Sequence, residues 1–345
     1  MQKLERSESL TIADVAREAG VSTATVSRVL NGRNTVSKEA SERVLKSVER
    51  MGYIFPAPAS RRGPKPVTHP MGLKHGTIVL ICTPTTTQTG QFLLQGVSRA
   101  MRERQIDLSV HYMDGDHSQL TPALASGKVD GLILQGSPLS ADLTGQLSKL
   151  PAVWLLYRGD HTWGDRVQPD HRKVGCMVLN HLAGRFQPPF CCMTYQSRKD
   201  AFDYWTERAE AFAQLARINK IDHIVLGHDE VPCVSDEDHA ATAHRLVEQF
   251  MALTPRPKGL FLAMNDLGCF VADELAHRGV RLMKDVCLIA GDNESAYRPI
   301  RPTPITVDIR SVEIGYLSVG VLLARIANPA SPRIIQMVEP RLLIP

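Results

Sequence analysis

The chain has 345 residues, 43% of them hydrophobic and 22% charged, with a net charge of +4. That balance excludes global disorder and collagen-like fibres. No apolar run approaches the ~20 residues of a membrane span, and residues 1–10, with Lys3, Glu5, Arg6 and Glu8, lack the apolar core of a secretory signal. A cytoplasmic protein of two or three domains, with no membrane partner, is expected.

The charge is unevenly placed. Residues 1–68 hold 12 Lys+Arg against 7 Asp+Glu, whereas the remainder holds 28 against 29. A polyanionic partner is therefore expected for the N-terminal part alone. The seven cysteines are scattered without C-x-x-C spacing, which reads as buried reduced thiols.

Thr11-Ile-Ala-Asp14 is a helix start signal, with the Thr11 hydroxyl placed to accept from the amide three residues on and Asp14 at the positive helix end. Ile12, Val15, Ala16 and Ala19 follow at helical spacing. Gly20 suits a tight turn. Ser22 can cap a second helix with Val26, Val29 and Leu30 inward and Thr23, Ala24, Ser27 and Arg28 outward, ended by Asn31-Gly32. Ser37 can cap a third, with Ala40, Val44, Val48 and Met51 inward and Gly52 at its end. Helix, short glycine turn, helix is the plan of a major-groove reader. Periodicity alone fits a structural three-helix bundle equally well.

The stretch Thr11-Ile-Ala-Asp-Val-Ala-Arg-Glu-Ala-Gly-Val-Ser-Thr-Ala-Thr-Val-Ser-Arg-Val-Leu-Asn31, continuing through Val36-Ser37, Arg43-Val44 and Met51-Gly-Tyr53, resembles the opening signature of the LacI/GalR family of bacterial transcription regulators. The resemblance implies a dimer on double-stranded operator DNA, associated with the nucleoid, with the second helix in the major groove. It puts Thr23 and Ala24 at the main sequence-reading positions and Arg28 at the other base-contacting one. Thr11, Ser22, Thr25, Ser27, Asn31 and Ser37 match positions that hold the DNA backbone. Short Thr23 and Ala24 suit apolar contact with thymine methyls.

The linker departs from the family, which has a hinge helix whose Leu wedges into the minor groove. Here Pro56 matches the family's proline after one extra residue and Arg61 its Arg, but Pro58, Pro64 and Pro66 disfavour a full helix, and Gly63 falls where Leu is expected. Arg61 and Arg62 then read either as a basic arm for a narrow minor groove or as part of a plain flexible linker.

From residue 76 onward, strand-like runs at 77–82, 108–113, 131–134, 153–157, 191–195, 223–226, 260–264, 287–290 and 305–309 alternate with amphipathic stretches such as 92–104, 208–218, 241–251 and 270–278. This predicts parallel α/β sheets, in two lobes that divide near residue 165. Val129-Asp-Gly-Leu-Ile133, Asn265-Asp266, His277-Arg-Gly-Val280 and Ala290-Gly-Asp292 keep the family's order. The resemblance implies a periplasmic-binding-protein-like core with three crossovers and an effector in the cleft. The expected fold is thus an all-α helix-turn-helix unit (9–55), a Pro/Arg-rich linker (56–75) and a two-lobed effector-binding and dimerisation core (76–345). No leucine-heptad tail follows, so a homodimer is expected.

Ligands of open α/β sheets sit beyond the carboxyl ends of strands. That rule selects the Thr83-to-Thr89 loop, with Thr83 and Thr85, and also Arg208, Asn265 and Asp292. The resemblance places the last three at effector-contacting positions. Arg donates, a carboxylate accepts and an amide does both, which suits a sugar or sugar derivative. Each has a plainer reading: Asn265 or Asp266 as a helix cap, Arg208 as a surface ion-pair partner of Glu207 or Glu210, Asp292 as a turn former, the Thr run as a polar loop. Where the family has an acidic sugar contact after Pro-x-Val, this chain has Leu156-Tyr157-Arg158, which leaves room for an acidic or phosphorylated sugar, or for loss of effector binding.

No Walker loop, nucleophile elbow, His-Glu-x-x-His or strand-linked Gly-x-Gly-x-x-Gly is present, and the twelve histidines match no ligand spacing. No catalytic residue, cofactor or metal is expected. The function expected is a DNA-binding regulator, most simply an effector-controlled repressor; the other readings are a carbohydrate-binding protein and an α/β enzyme with an appended DNA-binding domain.

Overall fold

The structure is a computed structural model that describes residues 10–31, 36–53, 72–82, 88–112, 122–135, 139, 141–156, 163–195, 204–228, 236–264, 267–291 and 300–345. The chain divides into two units, Met1–Val67 and Thr68–Pro345.

In the first unit, α1 (Ile12–Ala19), α2 (Thr23–Leu30) and α3 (Lys38–Met51) close around Val15, Ala16, Ala19, Val26 and Val44. Ile12, Val29, Leu30, Val48 and Met51 pack against that cluster half-buried, so the apolar spacing marks the inner faces. Gly20 takes φ +62°, the left-handed conformation that lets α2 begin with only three residues between it and α1. Thr11 and Asp14 form a capping box at the start of α1, the Thr11 side chain facing the Asp14 N–H and the Asp14 carboxylate accepting the Thr11 N–H at 2.9 Å. The Thr11 hydroxyl also donates to Asp14 Oδ2 at 2.6 Å. These bonds from Thr11, first through its hydroxyl, hold the Asp14 carboxyl below the usual carboxylate range, so it stays ionised at neutral pH beside the positive end of α1.

The second unit contains two six-stranded sheets. Its elements run β1 (Thr77–Cys82), α4 (Gln88–Glu103), β2 (Asp107–Tyr112), α5 (Pro122–Ala125), β3 (Gly131–Gln135), α6 (Ala141–Leu147), β4 (Ala152–Leu155), β5 (Asp165–Pro169), α7 (His171–Ala183), β6 (Phe190–Tyr195), α8 (Tyr204–Ile218), β7 (His223–His228), α9 (Asp236–Met251), β8 (Gly259–Leu262), α10 (Gly268–His277), β9 (Cys287–Ala290), β10 (Ile305–Asp308), α11 (Ser311–Ala327), β11 (Ile335–Val338) and β12 (Arg341–Leu343). The strand orders are β11-β5-β4-β3-β1-β2 and β12-β10-β9-β8-β6-β7. Every described pairing is parallel except β10 with β12. Near-continuous apolar strands such as Thr77–Cys82 and Gly259–Leu262 are what a sheet covered on both faces requires.

The chain passes between the sheets three times, after β5, after β10 and after β11. The first passage falls at Asp170, a few residues beyond the division expected near 165. The lobes are not consecutive, because α11 and β11 return to the first sheet. Sequence periodicity missed α11, which buries eight residues spread around its girth, and the short edge strands β11 and β12.

Two polar anchors fix the first lobe. The Asp130 carboxylate accepts the backbone N–H groups of Lys74 (2.7 Å), His75 and Thr77, while Leu73 inserts into the apolar core, so the start of the second unit is tied to the foot of β3. Asp165, 1% exposed, receives Arg325 of α11 on both oxygens at 2.7 and 2.9 Å and the Ile334 N–H at 2.9 Å. Glycines set the closest helix contacts. A Cβ at Gly96 of α4 would lie 2.0 Å from the Val312 carbonyl oxygen of α11, and one at Gly175 of α7 would lie 2.1 Å from that of Arg208 on α8.

Candidate nucleic-acid interface and strand-end site

On α2, Ser22, Thr23, Ala24, Arg28 and Asn31 are exposed and Thr25 and Ser27 half-buried, while Val26 is sealed in the core. Ser22 caps the helix by accepting the Thr25 N–H at 3.2 Å, and the Ser22 and Thr25 hydroxyls meet at 2.9 Å. At the other end Asn31 Nδ2 donates to the Ser27 carbonyl at 2.6 Å. Ser37 caps α3, its hydroxyl accepting from the Ala40 N–H. Ala24, Ser27, Arg28 and Asn31 line an open concavity of about 470 Å³. The face therefore combines small side chains, which allow close backbone approach, with one exposed guanidinium in the last turn. Elsewhere on the unit Arg17 pairs with Asp14 at 3.3 Å and Arg50 pairs with Glu18. Arg61 and Arg62 lie outside the described residues.

At the carboxyl end of the second sheet stands Arg208, the fifth residue of α8. It is fully buried, which overturns the reading of a surface ion-pair residue. Its Nε donates to His171 Nδ1 at 3.2 Å and its Nη1 to the Ala263 carbonyl at 2.9 Å, just beyond β8. Its guanidinium lies 4.9 Å from the centroid of the Tyr204 ring, which stacks on His171 at 5.1 Å. Trp205 packs edge-on to Tyr204 and donates through Nε1 to the Tyr195 carbonyl at 2.6 Å. A Cβ at Gly291, beyond β9, would fall 2.7 Å from Arg208 Nη1, so the chain passes hard against this cation. Thr83, Thr85, Asn265, Asp266 and Asp292 lie outside the described residues.

Sequence reasoning did not find the His171–Tyr204–Trp205 support around Arg208. A usable signal was present: Asp170 is a capping residue, its carboxylate accepting the Lys173 N–H at 2.8 Å, and it announces a helix whose first residue is His171. Leu156, just beyond β4, has φ +60°, a strained conformation for leucine.

The described cysteines are free thiols. Burial pushes Cys82 up to about 11 and Cys191 up to about 12, so both are neutral packing groups. Among the described residues there is no group of three side chains suited to a metal, and no helix is long and apolar enough to cross a membrane.

A three-helix unit with a small, cation-tipped reading face, followed by a two-lobed parallel α/β core, defines a DNA-binding regulator built on a binding-protein scaffold. Residues 11–55 match the family model for bacterial regulatory proteins of the lacI family, and residues 179–344 match the periplasmic binding protein-like domain. The HTH-type transcriptional repressor PurR of Aliivibrio salmonicida is 26% identical over 96% of this chain and 97% of its own length. The ribose operon repressor of Escherichia coli is 26% identical over 92% of this chain and 94% of its own. A solved complex of the transcriptional regulator CelR with cellobiose shares the fold at a TM-score of 0.64 and 19% identity, covering 97% of this chain and 98% of that one. The chain thus joins a lacI-family regulatory domain to a periplasmic binding protein-like domain.

Proposed function

We propose that this protein is a cytoplasmic repressor that binds operator DNA as a homodimer, with an affinity set by a small carbohydrate-like effector. The observation that carries the reading is the exposed face of α2, small and hydroxylated with Arg28 at its end, on a fold whose core presents a buried arginine at the strand ends. In this reading residues 9–55 recognise DNA, 56–75 link and 76–345 bind effector and dimerise. Thr23, Ala24 and Arg28 meet base edges; Thr11, Ser22, Thr25, Ser27, Asn31 and Ser37 hold the backbone; Arg61 and Arg62 lie along the minor groove. Thr83, Thr85, Arg208, Asn265 and Asp292 face the effector. The relatives named for ribose and cellobiose favour a sugar or sugar derivative. The role is binding rather than turnover, with no cofactor.

The mechanism is a population shift. Effector at the strand ends biases one arrangement of the lobes, and the two reading helices of the dimer are held at, or away from, one helical turn of DNA, ~34 Å. A sugar that raises the melting temperature of the full chain should then change its operator Kd by about 5- to 150-fold, a normal coupling for such switches. Calorimetry with that sugar should saturate; continuing heat would mean turnover and contradict the reading. A footprint that R61A/R62A leaves unchanged, at an unchanged salt slope, would remove the minor-groove role.

A further inference from the structure

Gln168 of β5, at a strand end of the first lobe, is 6% exposed, and among the described residues its buried Oε1 has no hydrogen-bond donor. Buried amide oxygens are almost always paired, because desolvating one without a donor is destabilising. An orphan therefore calls for an explanation at its own location.

That location is the ligand edge of the sheet. The register Cys82–Gln135, Gln135–Leu155 and Leu155–Val167 defines one row across four parallel strands. Gln168 stands one residue beyond it, level with Leu156, at the carboxyl end of the sheet. Side chains alternate along a strand. Val167 belongs to the core beneath α4 and α11, so Gln168 lies on the opposite face, with Trp154. The same strand end leads through Asp170 into His171, which receives Arg208. Three residues span at most ~10 Å. Gln168 from one lobe and the Arg208 support from the other thus flank the first passage within reach of one small molecule.

We propose that Gln168 is a further hydrogen-bond contact of the first lobe for the effector, accepting from a hydroxyl of a small polyol or sugar derivative whose acceptor groups face the Arg208 guanidinium. The inference rests on the effector reading above and adds a residue and a polarity to it: a donor on the ligand toward the first lobe, an acceptor toward the second. A deoxygenated ligand would leave the orphan oxygen unmet and be rejected.

The test uses the full chain and a panel of ribose, cellobiose, gluconate, ribose 5-phosphate and glucose 6-phosphate, read by melting temperature and then calorimetry. Gln168→Met keeps length and removes the orphan acceptor. Its unliganded melting temperature should equal or exceed that of the parent, and the panel compound that binds the parent should bind about tenfold more weakly. Gln168→Glu, which keeps an acceptor, should retain affinity for a neutral panel sugar; its failure to bind while folded overturns the proposal. A deoxy analogue of the bound compound should lose affinity for the parent and lose little further for Q168M. Unchanged affinity in Q168M overturns the proposal while leaving the effector reading intact. A Q168M chain that melts several degrees lower and binds normally shows instead that the oxygen serves a structural water. If no panel compound shifts the parent, the effector reading fails and this inference with it.

Discussion

Arg28→Ala is expected to erase most of the protein's preference for one DNA sequence over another while leaving its fold intact. Arg28 stands exposed in the last turn of α2 and is outside the apolar cluster of the first unit. Alanine is the better helix former, so no loss of structure accompanies the change. An arginine placed against a guanine edge contributes ~1–3 kcal/mol of discrimination, or about 5- to 150-fold for each half-site, and a dimer carries the effect twice. If Arg28 instead meets a phosphate, all sequences should weaken together and the salt slope should fall by about one per protomer. Gel-shift titrations against preferred and scrambled duplexes at two salt concentrations separate these results. A variant with unchanged preference and unchanged salt slope would show that Arg28 does not touch DNA.

The second large effect lies far from the reading face. Asp165→Ala is expected to destabilise the core by ~3–5 kcal/mol, because it leaves a buried guanidinium without its counter-charge. Arg325 spends every N–H it has: Nε and Nη2 on the Asp165 carboxylate, Nη2 also on the Pro332 carbonyl at 2.7 Å, and Nη1 on the carbonyls of Pro329 and Ser331. Since Asp165 also takes the Ile334 N–H, the pair sets the path by which α11 gives way to β11 within the first lobe. Removing the carboxylate loosens that path as well as stranding the charge. Denaturant titration of the full chain measures it. The double variant D165A/R325M, which strands no charge, should recover part of the loss. A loss below ~1 kcal/mol for D165A would mean that solvent reaches Arg325 and that the pair holds nothing in place.

How much of this was legible beforehand depends on how local the cause is. Thr11, Gly20, Ser22 and Ser37 act on their own neighbours within a few residues, and the three helices they begin and end could be placed from the sequence alone. Parallel strands also declared themselves, because burial on both faces makes runs such as Gly259–Leu262 uniformly apolar. Long-range partnerships were not legible. Nothing local says that Arg325 meets Asp165, 160 positions away, or that α11 returns to the first sheet. The same holds at the strand ends. Arg208 stands out by position at a strand end, but its burial and its seat on His171 and Tyr204 depend on α7 and α8 approaching closely enough to leave no room for a side chain at Gly175. Gln168 escaped notice because a single amide in a short strand carries no pattern; only its burial without a donor sets it apart.

The central claim is that two copies of α2 read two half-sites of one duplex. The most direct measurement is selection of bound sequences by the purified full chain from a random double-stranded library, at salt high enough to suppress uniform phosphate binding. The account predicts enrichment of an inverted repeat whose half-sites are centred about one helical turn apart, and loss of that enrichment with R28A. A pool that stays random, or a single unrepeated site enriched equally by R28A, would contradict it.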